Sequence, residues 1–528
     1  MLIFVPMAGT GDRYLRAGYT QPKPLIPVDG VTMIERVLET FPKDAGLRWL
    51  FGINRQHAEN TDLTRVLRQL RPDAQIVVLD NHKDGPVRTL LECAEALATD
   101  EDVCVNYCDF GVEWSFERFS RWLDRESWDG AMSAYRGFHP HSLGPTLYAY
   151  MRNDGERVVE IREKHHFTAN KFDEYASAGL YWFRSGRDLV RLGRELVARG
   201  ERVNNEFYAS MLMQLAIEQG AKVGVYELDR FYQWGTPEDL RDYEAWARSM
   251  RALDAFSQKV RGAKSRASLV VPMAGRGQRF VDQGYSDPKP LIDVAGKPMI
   301  QQSLACLPQP EARVLVAQRE HAAAPRFRAA VSELAGRTET IVLDQVTEGQ
   351  AITARLGVVD GAKPRVALDR PLLFAPCDTG YLYDIEAWLA LERAADAELI
   401  AWTAGDHLPA IWRPQMYGWA QVSPQGFIER VAVKQPVAGV DIAQQQVITG
   451  TFWFRDAHTF LREVEALVAA DDRVNGEFYL DTITRRMVER GARVRAFKVD
   501  KYVPWGTPEE LKTFDYWNAV HRGSRAWG

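Results

Sequence analysis

The chain has 528 residues, 46% of them hydrophobic and 26% charged, and a formal net charge of −5. That length exceeds what one hydrophobic core serves and predicts two domains, with three as the alternative, in a protein of ordinary globular composition. The slightly acidic balance offers no basic surface for nucleic acid, and the five scattered cysteines show neither metal spacing nor a paired framework, so a reducing, cytoplasmic setting is expected.

The opening run, LIFVPMAG, carries no charged leader and no apolar stretch long enough for a membrane span, so neither a signal peptide nor a membrane partner is predicted. Its strand LIFV feeds Pro6-Met7-Ala8-Gly9-Thr10-Gly11. Small residues let the backbone approach a ligand and aim N–H groups at it, and this loop falls at the carboxyl end of a strand, where open α/β sheets bind ligands. A tight strand-to-helix turn explains the glycines, taken alone, equally well. Arg13 and Lys23 change the balance, since Arg offers a planar fork suited to phosphate and Lys a point charge. Lys23 stands in Pro22-Lys23-Pro24, where the prolines stiffen the backbone and present the cation at little ordering cost. The loop lacks the P-loop pattern and the third glycine of a dinucleotide fingerprint.

Downstream, TMIERVLETF, DLTRVLRQLR and VRTLLECAEAL have apolar residues at helical spacing. They alternate with WLFGIN, QIVVLD and DVCVNYCD, which read as buried strands; Cys104 and Cys108 in the last are expected as buried thiols. Such alternation predicts a mainly parallel sheet with helices on both faces. GAMSAY, LYAYMR, VVEIREK and AGLYWF are strand-rich and are expected to form a mixed or antiparallel part capping the site. Pro237-Glu238 reads as a helix start, with Pro at N1 and an acid in the first turn. Arg251 to Ser268 reads as a helix tail and then a linker, giving domains 1–250 and 268–528 with 251–267 between them.

The chain then repeats itself. VPMAGRGQRFVDQGYSDPKPLI from Val271 answers VPMAGTGDRYLRAGYTQPKPLI from Val5. Gly275 follows Gly9 by 266 residues, Asp378 follows Asp109 by 269, Glu477 follows Glu206 by 271 and Trp505 follows Trp234 by 271. Order is kept and the offset drifts little, which is duplication of a whole domain of about 250 residues and not a solenoid. Arg279 and Lys289 repeat Arg13 and Lys23, and Pro508-Glu509 repeats the late helix start.

AGTGDRY…QPKPLIPVDG and AGRGQRF…DPKPLIDVAGKPMI each run from a glycine loop through an arginine and a Pro-Lys-Pro cation to a helix near Met33-Ile34 or Met299-Ile300. This pattern resembles the signature of sugar-phosphate nucleotidyltransferases (nucleoside-diphosphate-sugar pyrophosphorylases), over nearly the whole chain. With the late WGTPE it is similar to members from bacterial surface-polysaccharide pathways, some of which use CTP. The resemblance implies an α/β fold of two tandem Rossmann-like nucleotidyltransferase domains, each a mixed, mainly parallel sheet flanked by helices. It implies that Ala8, Gly9, Gly11, Ala274, Gly275 and Gly277 bind the nucleoside triphosphate, while Arg13, Lys23, Arg279 and Lys289 neutralise its phosphates. A second nucleotide-contacting turn falls on Gly85-Pro86 and Gly349-Gln350, where a plain helix start is the alternative. Asp109 and Asp378, ending VCVNYCD and LLFAPCD, match the family's metal aspartate and imply Mg2+ or Mn2+.

The acceptor lysine, preceded by glutamate in the family, matches Glu163-Lys164; the second copy has Val433-Lys434, keeping the lysine and losing the acid. Glu206 and Glu477 match an acid that contacts the acceptor, with a helix-start acid favoured by the macrodipole as the alternative. Many members place a second metal aspartate just before the late Gly-Thr. Here Gln233-Trp234 and Pro504-Trp505 stand there and supply no carboxylate, so two-metal coordination of the usual kind is not expected from those positions.

The implied reaction joins a nucleoside triphosphate to a phosphorylated small-molecule acceptor and releases pyrophosphate. A phosphate monoester with a second pKa of about 6 is already largely ionised, so no strong base is needed, in keeping with the lack of a Ser–His–Asp or Cys–His constellation. The difficulty is the meeting of anions, and catalysis should come from positioning and charge neutralisation. Lys164 would guide the acceptor phosphate, a metal on Asp109 would hold the triphosphate, and Arg13 and Lys23 would take the leaving pyrophosphate. His165 and His166 read as solvated loop residues, with phosphate contact as the alternative. One rival is a glycosyltransferase of the related nucleotide-binding fold, which usually carries a D-x-D-like site where this chain has a single Asp per strand end. The other is one catalytic copy beside a nucleotide-binding regulatory or scaffold copy, which Val433 keeps open while Arg279, Lys289 and Asp378 speak against it. Residues 136–172 and 403–440 differ between the copies, so different acceptors are expected.

Overall fold

Leu2–Met7, buried along its length except for Pro6, is a central strand of the first sheet, as a continuous apolar run requires when helices cover both faces. The computed structural model describes residues 1–523 apart from Asp44, Asn81, Ala395 and Asp406. The chain separates into two compact units, Met1–Glu244 and Ala245–Gly528. The helix Pro237–Gly262 carries that division, so the stretch read as helix tail and linker is helical through Gly262, and the next sheet begins at Ser268. No helix among the described residues is long and apolar enough to cross a membrane. The five cysteines are free; Cys104 is buried and Cys108 half-buried.

In the first unit Leu2–Met7 pairs in parallel with Arg48–Asn54 and with Val103–Asn106, and Arg48–Asn54 pairs in parallel with Gln75–Leu79. Beyond Val103–Asn106 the sheet becomes mixed. Tyr175–Phe183 runs antiparallel to both Val103–Asn106 and Gly130–Tyr135, and Val223–Glu227 is parallel to Gly130–Tyr135. The hairpin Tyr150–Asp154 with Arg157–Arg162 ends a sheet of nine strands. The strand-rich segments expected as a mixed or antiparallel part are therefore this half of the same sheet.

The second unit repeats the plan with Ser268–Met273 between Arg313–Gln318 and Leu372–Phe374, all parallel. Gln446–Phe454 then runs antiparallel to Leu372–Phe374 and Leu399–Ala404. Gly418–Val422 and Ile428–Val433 branch off as an antiparallel pair, completing nine strands. The expected α/β architecture, a mixed sheet flanked by helices in each of two tandem copies, is the one observed. Apolar side chains fill both faces of this sheet, and Phe256 and Val260 from the long helix join one of them.

A small antiparallel ribbon in each unit positions the site. Phe110–Glu113 pairs with Arg230–Gln233 so that Phe110 faces Gln233, and the Trp234 amide donates to the Asp109 carbonyl at 3.0 Å. Thr379–Leu382 pairs with Lys501–Pro504 in the same register, and the Trp505 amide donates to the Asp378 carbonyl at 2.7 Å. Residues more than a hundred positions apart thereby bring the late Trp-Gly-Thr to the strand-end aspartate.

Candidate active site

A cleft of about 550 Å3 opens at the carboxyl ends of the parallel strands of the first unit. Gly9, Gly11, Arg13, Lys23, Gly85, Pro86, Asp109, Glu163, Lys164 and Glu206 all line it. Ala8 does not; it is buried, and its carbonyl accepts from Asn54 Nδ2 at 3.1 Å. Asn54, fully buried, also caps the following helix by accepting from the Gln56 amide at 2.8 Å, so one amide ties the glycine loop to its neighbouring strand. Gln318 does likewise in the second unit, donating to the Ala274 carbonyl at 2.7 Å.

Lys23 passes beside the loop glycine Gly11 and ends on the strand-end aspartate. Its ammonium donates to Asp109 Oδ2 at 2.6 Å and to the Gly235 carbonyl at 3.0 Å. Lys289 donates to Asp378 Oδ2 in the same way. Carboxylate and carbonyl oxygens thus surround a cation at the strand end. Arg13 and Arg279 are exposed and their side chains enter no ion pair or hydrogen bond among the described residues, which leaves their forks free for an anion.

A second carboxylate enters the cleft in the first unit, and in the second unit one meets the strand-end aspartate, each from a position that the sequence pattern passed over. The helix that starts at Pro237 brings Asp239 into the cleft, where Oδ2 accepts from Thr236 Oγ1 at 2.6 Å, and burial pushes its carboxyl up to about 6. Its counterpart Glu510 accepts from the Thr507 amide at 2.9 Å and from the Tyr417 hydroxyl at 3.0 Å. A Cβ added to Gly506 would lie 3.2 Å from both Asp378 Oδ2 and Glu510 Oε2, so the two carboxylates converge. Burial raises the Glu510 carboxyl, opposed by the Tyr417 hydrogen bond, with Asp378 adding to the rise. No group of three or more His, Cys, Asp or Glu that could hold a metal occurs among the described residues. Mg2+ characteristically takes only one or two carboxylates plus substrate phosphates, and this all-oxygen pair fits it.

At the other end of the cleft Lys164 has φ 56° and Lys434 φ 59°, left-handed values uncommon outside glycine and often kept at functional positions. Lys164 Nζ donates to the Tyr208 hydroxyl at 2.7 Å. Burial lowers the Lys164 ammonium, with Glu163 and Glu206 opposing, and burial raises Glu163 against the hydrogen bond from Ser210. Lys434 Nζ donates instead to the Met416 carbonyl at 2.7 Å. Glu206 and Glu477 sit in tight turns closed by Val203 and Val474, three residues ahead of the helices that begin at Ala209 and Leu480. They are not first-turn acids, so the helix dipole does not account for them. His165 and His166 are not among the residues lining the cleft.

Gly85 and Gly349 begin helices, and they do more. The Phe207 amide donates to the Asp84 carbonyl at 2.8 Å and the Val87 amide to the Phe207 carbonyl at 3.2 Å, which ties this turn to the loop carrying Glu206. Gly85 has φ 91°, and a Cβ there would meet the Phe207 carbonyl oxygen at 2.8 Å. Gly349, at φ 131°, would meet the Phe478 amide nitrogen at 2.5 Å. Gly349→Ala is expected to cost about 1–3 kcal/mol of stability in urea unfolding and to weaken nucleotide-induced stabilisation of the second unit.

No family model matches the chain, and no curated protein matches it. Solved structures do. A nucleoside-diphosphate-sugar pyrophosphorylase from Vibrio cholerae RC9 is 24% identical, with 46% of this chain aligned to 98% of that one at a TM-score of 0.39. A putative glucose-1-phosphate thymidylyltransferase from Bacillus anthracis is 17% identical, covering 47% of this chain and 96% of that one at 0.37. An inositol-1-phosphate CTP transferase from T. maritima is 15% identical, covering 50% and 98% at 0.36. Each of these solved chains aligns over about half of this one.

Proposed function

We propose that each copy transfers a nucleotidyl group from a nucleoside triphosphate to the phosphate of a small acceptor, a sugar phosphate being the favoured class, and releases pyrophosphate. Activated precursors for a surface polysaccharide are the use that the sequence resemblance suggests. The observation that carries the reading is the recurrence of one charge layout in both units: an unpaired loop arginine, a Pro-Lys-Pro ammonium on a strand-end aspartate, a second carboxylate one helix turn past Gly-Thr, and a left-handed lysine at the far end.

In this reading the loop amides and Arg13 grip the triphosphate, Lys23 keeps Asp109 in place while adding its charge to the leaving pyrophosphate, and Lys164 holds the attacking phosphate in line. Asp109 with Asp239, and Asp378 with Glu510, would hold Mg2+, which when bound neutralises the triphosphate and favours in-line displacement. No side chain has to remove a proton, because the acceptor phosphate arrives ionised.

The test is pyrophosphate release from CTP, UTP, GTP, ATP or dTTP over a panel of phosphorylated acceptors, together with the rise in melting temperature each nucleotide causes with Mg2+. One nucleotide is expected to stand out in both measurements. Excess EDTA is expected to abolish release and to remove most of the melting-temperature rise; undiminished turnover in EDTA contradicts the metal's part.

A further inference from the structure

Glu163 and Val433 occupy corresponding positions, each directly before the left-handed lysine. In the first unit Ser210, second residue of the helix Ala209–Glu218 and fully buried, donates to Glu163 Oε2 at 2.5 Å. In the second unit the second residue of the helix Leu480–Glu489 is Asp481, and that helix packs on the strand Ile428–Val433 as its counterpart packs on Arg157–Arg162. The Asp481 carboxylate comes against Gly418, the register partner of Val433 on the adjoining strand. A Cβ on Gly418 would lie 2.5 Å from Asp481 Oδ2, closer than real side chains come, and the first copy has Ala149 at that place. Three positions therefore change together: Ala149, Glu163 and Ser210 in one copy against Gly418, Val433 and Asp481 in the other.

Loss of the acid at Val433 is thus matched by gain of an acid on the facing helix, with the space for it cleared. Asp481 accepts no hydrogen bond and forms no ion pair among the described residues. Its side chain is half-buried, and burial raises its carboxyl to about 6, opposed by Lys434.

We infer that Asp481 is the acceptor-side carboxylate of the second site, standing in for Glu163 and reaching the acceptor beside Lys434 from the helix instead of the strand. Val433 leaves an apolar wall where the first site offers an oxygen. The second site then takes a phosphorylated acceptor whose hydroxyl lies on the helix side of the lysine, and its acceptor preference differs from that of the first. This rests on the nucleotidyl-transfer reading.

The test uses the full chain with the first site silenced by Asp109→Asn. Asp481→Ser is expected to raise the acceptor KM about 10–100-fold, the size of a lost hydrogen bond to a charged group, while the nucleotide KM stays within about twofold. The triple change Gly418→Ala, Val433→Glu and Asp481→Ser transplants the first arrangement, and is expected to recover acceptor KM and shift the acceptor order toward that of the first site. An acceptor KM unmoved by Asp481→Ser, or a nucleotide KM that rises equally, overturns the inference. If the silenced chain releases no pyrophosphate with any acceptor, transfer by the second copy fails, and a separate readout decides Asp481. That readout is protection of Lys434 from succinimidyl acylation by the same acceptors, followed by peptide mass spectrometry. Protection that Asp481→Ser removes supports the inference; protection unaffected by it, or given by no acceptor, overturns it.

Discussion

Replacing Lys23 and Lys289 together by alanine is expected to leave the chain folded and to take pyrophosphate release below about a tenth of the unmodified rate, since a charge contact made in the transition state is worth about 3 kcal/mol. Each ammonium sits on an aspartate between partly exposed side chains, so water can take its place on the carboxylate without the cost of a fully buried orphan charge. The Pro-Lys-Pro frame survives in alanine form because the short turn that follows is held by backbone bonds, Leu25 amide to Pro22 carbonyl and Leu291 amide to Pro288 carbonyl. Circular dichroism and the urea midpoint check the fold, and a pyrophosphate-coupled assay checks the rate. Retention of more than a tenth of the rate (about 1.4 kcal/mol) removes the lysines from the chemistry.

The second large effect concerns the carboxylates past Gly-Thr. Asp239→Asn combined with Glu510→Gln is expected to cut turnover about 100-fold and to remove the Mg2+-dependent part of the nucleotide's melting-temperature rise, leaving the metal-free part. The amides can still accept from Thr236 Oγ1 and the Thr507 amide, while the new amide nitrogen at position 510 donates to the Tyr417 hydroxyl where Glu510 accepted from it. The main loss is the charge, and the readout in melting temperature does not depend on catalysis. A melting-temperature rise with Mg2+ that matches the unmodified chain would mean that Asp109 and Asp378 need no second carboxylate.

Most of the architecture was legible because long-range arrangement and local signal agree. Buried strands such as Leu2–Met7 and the 49–53 part of Arg48–Asn54 are unbroken apolar runs, and the helices between them keep a regular apolar stripe. The duplication was legible from motif order alone. Asp239 and Glu510 have no linear signature for a geometric reason: the family pattern has its second acid in front of Gly-Thr, whereas the first turn of the next helix returns a residue three positions later toward Gly-Thr. Asp481 is not legible in sequence because one acid at a helix start has an ordinary explanation, and its meaning depends on Gly418, which strand pairing sets beside Val433. Asn54 and Gln318 did leave a signal, a polar amide ending an apolar strand in both copies, and it becomes informative only once the loop carbonyl is seen beside it. The seating of Lys23 on Asp109, 86 residues away, has no sequence signature.

The central claim is that each copy closes its own site and works independently. Every element of the charge layout occurs once per unit, and in the first unit the residues lining the cleft all come from Met1–Glu244. The most direct measurement is therefore the acceptor profile of pyrophosphate release in Asp109→Asn, in Asp378→Asn and in the double variant. Independent sites give each single variant a residual activity with its own acceptor profile, the two profiles adding up to that of the unmodified chain, and give the double variant none. If Asp109→Asn alone abolishes turnover with every acceptor, the second copy is a support domain and the account is wrong.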